Sequence, residues 1–302
     1  MQKTGNRLVD FATEHRLTEH RIPMRDATVL RVLTAGEPGA PRLLCLHGFP
    51  QNAAEWRRVI GLVRDRFFVI APDLRGYAES SLSATGRYDI ETLASDVIEL
   101  CGEPELGSGP VHLVAHDWGG AIGWHALGRR PELFARHVCV QGPHLGAYVS
   151  ALRSDAKQRM GSWYTAMFQL PFAEYALSRN GAAVLANALR SSSAPGTFSD
   201  EDLELYLGPL ADPKRMRAAL SYYREAARRI ATLGKRFFDT PMIDVPTTFV
   251  WGTRDAAIRK IVRDITIERY CPSARVVELA GVSHWVPDEA PQAVADALIA
   301  GL

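Results

Sequence analysis

The sequence predicts an α/β fold: a mostly parallel sheet with helices on both faces, interrupted by an inserted helical cap. Three observations carry this expectation. Short, almost wholly apolar runs recur along the first half of the chain, each suited to a strand buried on both faces. Segments of helical spacing separate them, and such alternation implies parallel pairing through crossovers. From about His144 to Phe238 the apolar runs stop and only helical spacing is left, before the alternation returns.

In chain order, Ala27 to Thr34 reads as a strand that ends in the turn Ala35 to Gly39, and Arg42 to Leu46 as a buried strand. A helix from Glu55 to Arg64 follows, then a strand from Phe67 to Ala71 closed by Pro72. Asp89 to Cys101 repeats apolar residues at helical intervals (Ile90, Leu93, Val97, Leu100). Val111 to Ala115 is a third buried strand, with a helix from Ala121 to Arg129 behind it, and His137 to Gln141 is a fourth. Helices are expected at 153–168, 174–189, 201–207 and 214–233, with a loop at Ser191 to Gly196. Strands resume at Thr247 to Trp251 and Ala274 to Leu279. The expected division is a core of residues 1–143 and 239–302 and a cap of residues 144–238. Ligands of open α/β sheets bind beyond the carboxyl ends of the strands, where such a cap would act as a lid.

Composition narrows the function. The 302 residues carry 35 Lys+Arg against 34 Asp+Glu, a net charge of +1, which gives no reason to expect nucleic acid or an anionic membrane as partner. Cys45, Cys101, Cys139 and Cys271 are too far apart in sequence to suggest a zinc or redox pair and read as reduced thiols. Met1 to Arg21 is polar, without the apolar stretch of a signal peptide, and no apolar run reaches the roughly 18 residues of a membrane span. A cytoplasmic protein is expected. Neither a metal nor an organic cofactor is expected, because metal-ligand spacing is lacking and Gly119-Gly120-x-x-Gly123 is too partial for a dinucleotide fingerprint.

The chemistry concentrates after the strands. Asp117 lies in the sharp turn between the strand Val111 to Ala115 and the next helix, flanked by Ala115, Gly119 and Gly120. A strand–nucleophile–helix turn strains the backbone and tolerates only small neighbours. Asp255 follows the strand ending Val250-Trp251-Gly252, and His284 follows the strand ending at Leu279. Nucleophile, acid and histidine thus come in that chain order, each just after a core strand and so at one edge of the sheet. His47-Gly48-Phe49-Pro50, after the strand Arg42 to Leu46, can aim the Phe49 backbone N–H at the same place. The Trp118 N–H would be the second donor of an oxyanion hole.

Together these residues resemble the epoxide hydrolase branch of the α/β-hydrolase fold, close to the haloalkane dehalogenases, over nearly the whole chain. The branch's elbow is similar to His116-Asp117-Trp118-Gly119-Gly120, with Ala115 here where the family often has glycine. The resemblance implies Asp117 as nucleophile, Asp255 and His284 as its partners, and two cap tyrosines that donate to the epoxide oxygen. Tyr164, before Phe168-Gln169, and Tyr223, before Arg224, match those positions. The implied activity is the opening of a small apolar epoxide to a diol through an aspartyl ester. Trp118, Trp163, Phe168 and Trp285 are expected to line the substrate site. The alternative is dehalogenation by the same triad, for which the Trp118 indole would be one halide donor. Phe49 stands where haloalkane dehalogenases often have asparagine, and Trp118 and Ala121 stand where fluoroacetate dehalogenases carry arginines. No carboxylate follows the strand ending at Gln141, the alternative acid position that some dehalogenases use, which supports Asp255 as the acid. A non-catalytic binder on the same fold is the remaining class.

Overall fold

The apolar runs become the middle of one eight-stranded sheet. In the computed structural model, which describes Leu8, residues 11–234 and residues 238–302, the strands are β1 (Thr18–Pro23), β2 (Val29–Ala35), β3 (Arg42–Leu46), β4 (Phe68–Pro72), β5 (Val111–His116), β6 (Phe134–Val140), β7 (Thr247–Gly252) and β8 (Arg275–Leu279). Their order is β1-β2-β4-β3-β5-β6-β7-β8. β1–β2 and β2–β4 pair antiparallel, and all pairs from β4–β3 to β7–β8 are parallel. Every residue of β3 and β4 is buried. A strand sandwiched between helix layers has no solvent face, so its side chains are apolar on both sides.

The chain goes from β3 to β4 on one side and then crosses to β5 on the other. The order therefore reverses between β3 and β5, which pair from Leu43↔His112 to Leu46↔Ala115. A crevice opens at such a switch point, beyond the carboxyl ends of the two strands.

Several boundaries differ from the sequence expectation. β1 begins within the stretch Met1 to Arg21 read as a polar terminus; Ile22, just beyond it, is its one buried residue, so an edge strand of this kind carries no apolar run. Residues 1–7, 9 and 10 of that stretch lie outside the described residues, as do 235–237 near the expected end of the cap. The helix expected over 153–168 is three helices, Leu145–Ser154, Ala156–Gly161 and Trp163–Met167. Asp155 ends the first and caps the second by accepting the Gln158 N–H. The element Ala173–Ser192 leaves helical angles from Arg179 to Ala182. Asp200–Leu207 begins with a capping box between Ser199 and Asp202, and Pro213–Leu233 begins at Pro213 behind the N-cap Asp212.

All the helices from Leu145 to Leu233 fall between β6 and β7. They are held to the sheet layer by buried polar contacts. Arg57 pairs with Asp202 at 2.6 Å and with Asp288 at 3.1 Å, while the Tyr206 hydroxyl donates to Asp288 at 2.9 Å. All four cysteines are buried free thiols. Among the described residues, no helix is long and apolar enough to cross a membrane.

Candidate active site

The switch point gathers the ends of five strands. Asp117 is the first residue of the helix Asp117–Arg129, directly after β5, four residues earlier than the sequence suggested. Its φ is +47°, a left-handed conformation that is costly for a residue with a side chain. Small neighbours make it tolerable: a Cβ on Gly119 would lie 2.3 Å from the Leu46 carbonyl oxygen, so only glycine lets the elbow sit this close to β3.

Phe49, after β3, donates its N–H to Asp117 Oδ1 at 2.9 Å. The orientation of that N–H is fixed from the other end of the same peptide. His47 Nε2 accepts the Leu74 N–H at 2.9 Å, so the proton sits on Nδ1, which donates to the Gly48 carbonyl at 3.1 Å. Burial pushes His47 down from its ordinary pKa, in keeping with a neutral ring. The Gly48 N–H is in turn taken by Glu55 at 3.0 Å.

Asp255, after β7, and His284, after β8, meet at 2.7 Å through Asp255 Oδ2 and His284 Nδ1. Asp255 Oδ1 accepts the N–H groups of Ala257 (2.7 Å) and Ile258 (2.9 Å). With Nδ1 committed to Asp255, His284 presents Nε2 to Asp117, 3.7 Å from Oδ2. Asp117, Asp255 and His284 are each at most 8% exposed, so their mutual fields are weakly screened.

Two partners were not foreseen. Gln141, at the end of β6, donates to Asp255 Oδ2 at 2.8 Å and to the Gly252 carbonyl at 3.2 Å. His116 and Glu55, both fully buried, lie 2.8 Å apart. Burial alone would lower the His116 pKa, but Glu55, Asp117 and the His284 carbonyl together push it up to about 9. His116 Nε2 meets that carbonyl at 3.0 Å, so one imidazole ties the elbow to the histidine loop. His116 has a sequence signal, a polar side chain at the end of an apolar run and beside Asp117, and Gln141 likewise ends an apolar run, whereas Glu55 lies in a polar segment and has none.

A cavity of about 340 Å³ leads from Asp117 to the helices between β6 and β7, lined by Trp118, Tyr164 and Tyr223 together with Leu145, Val149 and Ile230. Both tyrosines are held protonated. Burial raises each phenol well above its usual range; Tyr148 and Asp117 add to it at Tyr164, and Asp117 and Tyr164 at Tyr223. The Tyr164 and Tyr223 rings stand 6.2 Å apart, edge to face.

Of the four side chains expected to line the substrate site, Trp118 lines this cavity and the other three do not. Trp163 is 66% exposed, because the helix Trp163–Met167 turns Tyr164 and Thr165 inward instead. Phe168 is buried behind the cavity, packed on Phe49, Tyr164 and Tyr223. Trp285 packs edge-on against His284 and donates its indole N–H to Ser192 at 2.9 Å, so it supports the histidine from behind. Among the described residues, no cluster of His, Cys, Asp and Glu could hold a metal ion.

The family model described as alpha/beta hydrolase fold matches residues 41–291. This chain belongs to the alpha/beta hydrolase fold family. It is 33% identical over 269 residues to another hydrolase, the AB hydrolase superfamily protein YfhM of Bacillus subtilis, with 88% of this chain and 91% of that one covered. It is 30% identical over 258 residues to epoxide hydrolase 2 of Caenorhabditis elegans, with 83% and 71% covered. Among solved hydrolase structures, a mutant epoxide hydrolase from Bacillus megaterium matches with a TM-score of 0.81 and 26% identity, covering 93% of this chain and 99% of that one.

Proposed function

We infer that this alpha/beta hydrolase is an epoxide hydrolase, adding water to a small apolar epoxide to give a vicinal diol. One observation carries the reading: a carboxylate on a strained elbow shares one cavity with two protonated phenols from the cap. Similarity to proteins named epoxide hydrolase supports it.

An epoxide offers no carbonyl, so the first step is displacement at carbon. An Asp117 oxygen attacks one ring carbon, the carbon–oxygen bond breaks, and the electron pair goes to the ring oxygen. Tyr164 and Tyr223 donate hydrogen bonds to that oxygen, and one of them gives it a proton. Such acid assistance is worth about 10²–10⁴ in rate. The product is a hydroxyalkyl ester on Asp117.

Water then attacks the carbonyl carbon of the ester. His284 Nε2 takes the proton, and Asp255 holds the imidazole in the tautomer that leaves Nε2 free. The Phe49 and Trp118 N–H groups stabilise the oxyanion. Collapse releases the diol and returns Asp117 as carboxylate, and the His284 proton goes back to the phenolate through solvent. We assign residues 144–238 as the cap that covers this chemistry. Four buried thiols without a disulfide among them support the cytoplasm as location.

Displacement of a halide is the second reading, supported by the presence of Trp118 in the cavity wall. The paired phenols favour the epoxide, since a departing alkoxide needs a proton and a halide does not.

The test is a panel of styrene oxide-type epoxides and haloalkanes, assayed for diol and for halide. Diol formation is expected. With His284→Gln, intact mass should show the protein plus one substrate. Absence of both diol and adduct, for substrates that bind, would overturn the reading.

A further inference from the structure

We propose that Gln158, a cap residue outside the cavity, is a positioning residue that locks the Asp255 loop and the Tyr164 helix into one rigid joint. This rests on the epoxide hydrolase reading and extends it to how the two chemical steps stay in register.

Gln158 is fully buried in the cap helix Ala156–Gly161. Its carboxamide reaches across to the loop after β7. Nε2 donates to the Ala257 carbonyl at 2.7 Å, and Oε1 accepts the Arg259 N–H at 2.9 Å. The Ala257–Ile258 peptide is therefore gripped at both ends: its carbonyl by Gln158, its N–H by Asp255 Oδ1. Turning that peptide would break a contact of the acid and a contact of the cap together.

The same amide also holds the start of the Tyr164 helix. Nε2 donates to Ser162 Oγ at 2.9 Å, two residues before Tyr164, and Ser162 Oγ receives the Tyr148 hydroxyl at 2.7 Å. The backbones are pressed together as well. A Cβ on Gly161 would lie 2.1 Å from the Ala256 carbonyl oxygen. Thus the group proposed for acid assistance in the first step and the carboxylate proposed to orient the base in the second hang from one seam.

A glutamine is suited to this position because it offers a donor and an acceptor side by side. A neutral carboxylic acid does so too, whereas a carboxylate offers two acceptors and would repel the Ala257 carbonyl. Gln158→Glu is therefore a switchable version of the joint. Around it lie Asp255 and Arg259 on the loop, and Asp155, Arg159, Tyr148 and Tyr164 on the cap. Burial favours the neutral form of the introduced carboxyl.

The experiment measures alkylation and ester hydrolysis separately, by single-turnover kinetics from pH 6 to 9, for the wild type, Gln158→Leu and Gln158→Glu, each corrected for folded protein by circular dichroism. Gln158→Leu should lose at least tenfold in both steps at every pH. Gln158→Glu should stay within about threefold of the wild type at pH 6 and fall at least tenfold behind it by pH 9. Equal rates for all three proteins, a loss confined to one step, or a Gln158→Glu deficit independent of pH would overturn the proposal alone. A wild type that turns over no epoxide would overturn the underlying reading and the proposal with it.

Discussion

Gln141 and His284 converge on a single oxygen, Asp255 Oδ2, at 2.8 Å and 2.7 Å. Asp255 Oδ1 is occupied by two backbone N–H groups, so the carboxylate has no freedom to rotate away from the imidazole. Gln141 does this from a backbone φ of +44°, another strained residue at the end of a strand.

Replacing Gln141 with methionine, of similar volume, removes one charge-assisted hydrogen bond worth roughly 1.5–3 kcal/mol. If half of that reaches the transition state of ester hydrolysis, the step slows by about 4- to 12-fold, while alkylation is unaffected. Rapid-quench mass spectrometry should then find the aspartyl ester accumulating in the steady state. Equal slowing of both steps would contradict a role through Asp255.

Tyr164→Phe and Tyr223→Phe each delete one donor and keep the ring. Alkylation is expected to fall about 10–100-fold in each, and by more in the double variant, with hydrolysis of the preformed ester unchanged. The reading is stopped-flow quenching of tryptophan fluorescence, with Trp118 in the cavity wall.

The His116–Glu55 pair gives the protein a pH signature. The folded pKa of His116, about 9, lies above its ordinary value of 6.5. A group raised on folding stabilises the native state fully below its unfolded pKa, and the benefit is lost as pH rises through the folded one. The wild type should therefore lose stability between about pH 6.5 and 9, by roughly 3–4 kcal/mol at about 1.4 kcal/mol per pH unit. Glu55→Gln should be less stable at pH 6 and flatter across this window. Urea unfolding at pH 6, 7.5 and 9 compares the two slopes; identical slopes would remove the pair as their source.

Gly119→Ala places a Cβ 2.3 Å from the Leu46 carbonyl oxygen, which is backbone and cannot step aside. A loss of about 1–3 kcal/mol in stability is expected, as for other overpacked sites, together with loss of activity from displacement of Asp117. Thermal melting and diol assays on the purified variant check both.

Sequence and structure agree where one residue's neighbours along the chain determine its surroundings. β3, β5 and β7 were legible as apolar runs because both faces are buried, and the turn at Asp117 because its small neighbours follow it directly. The roles that stayed hidden depend on which strands lie side by side. Gln141 acts on Asp255 because β6 pairs with β7, 114 positions apart in numbering. Glu55 meets His116 across the β3–β5 switch point. Trp163 was misread for a different reason: a helix of five residues has too little periodicity to tell its inner face from its outer one.

The placement of the helices from Leu145 to Leu233 between β6 and β7 bears on how such folds diversify. β6 and β7 are parallel neighbours, paired from His137↔Thr247 to Val140↔Val250, so the chain leaves the sheet at its carboxyl edge and crosses back to the amino edge to re-enter beside the strand it left. The entropy of closing such an excursion grows only slowly with its length. Helices can be lengthened, shortened or exchanged there without disturbing a single strand pairing. The constraint on such a graft is local: whatever replaces the helix Ala156–Gly161 must still meet the backbone of Ala256, Ala257 and Arg259.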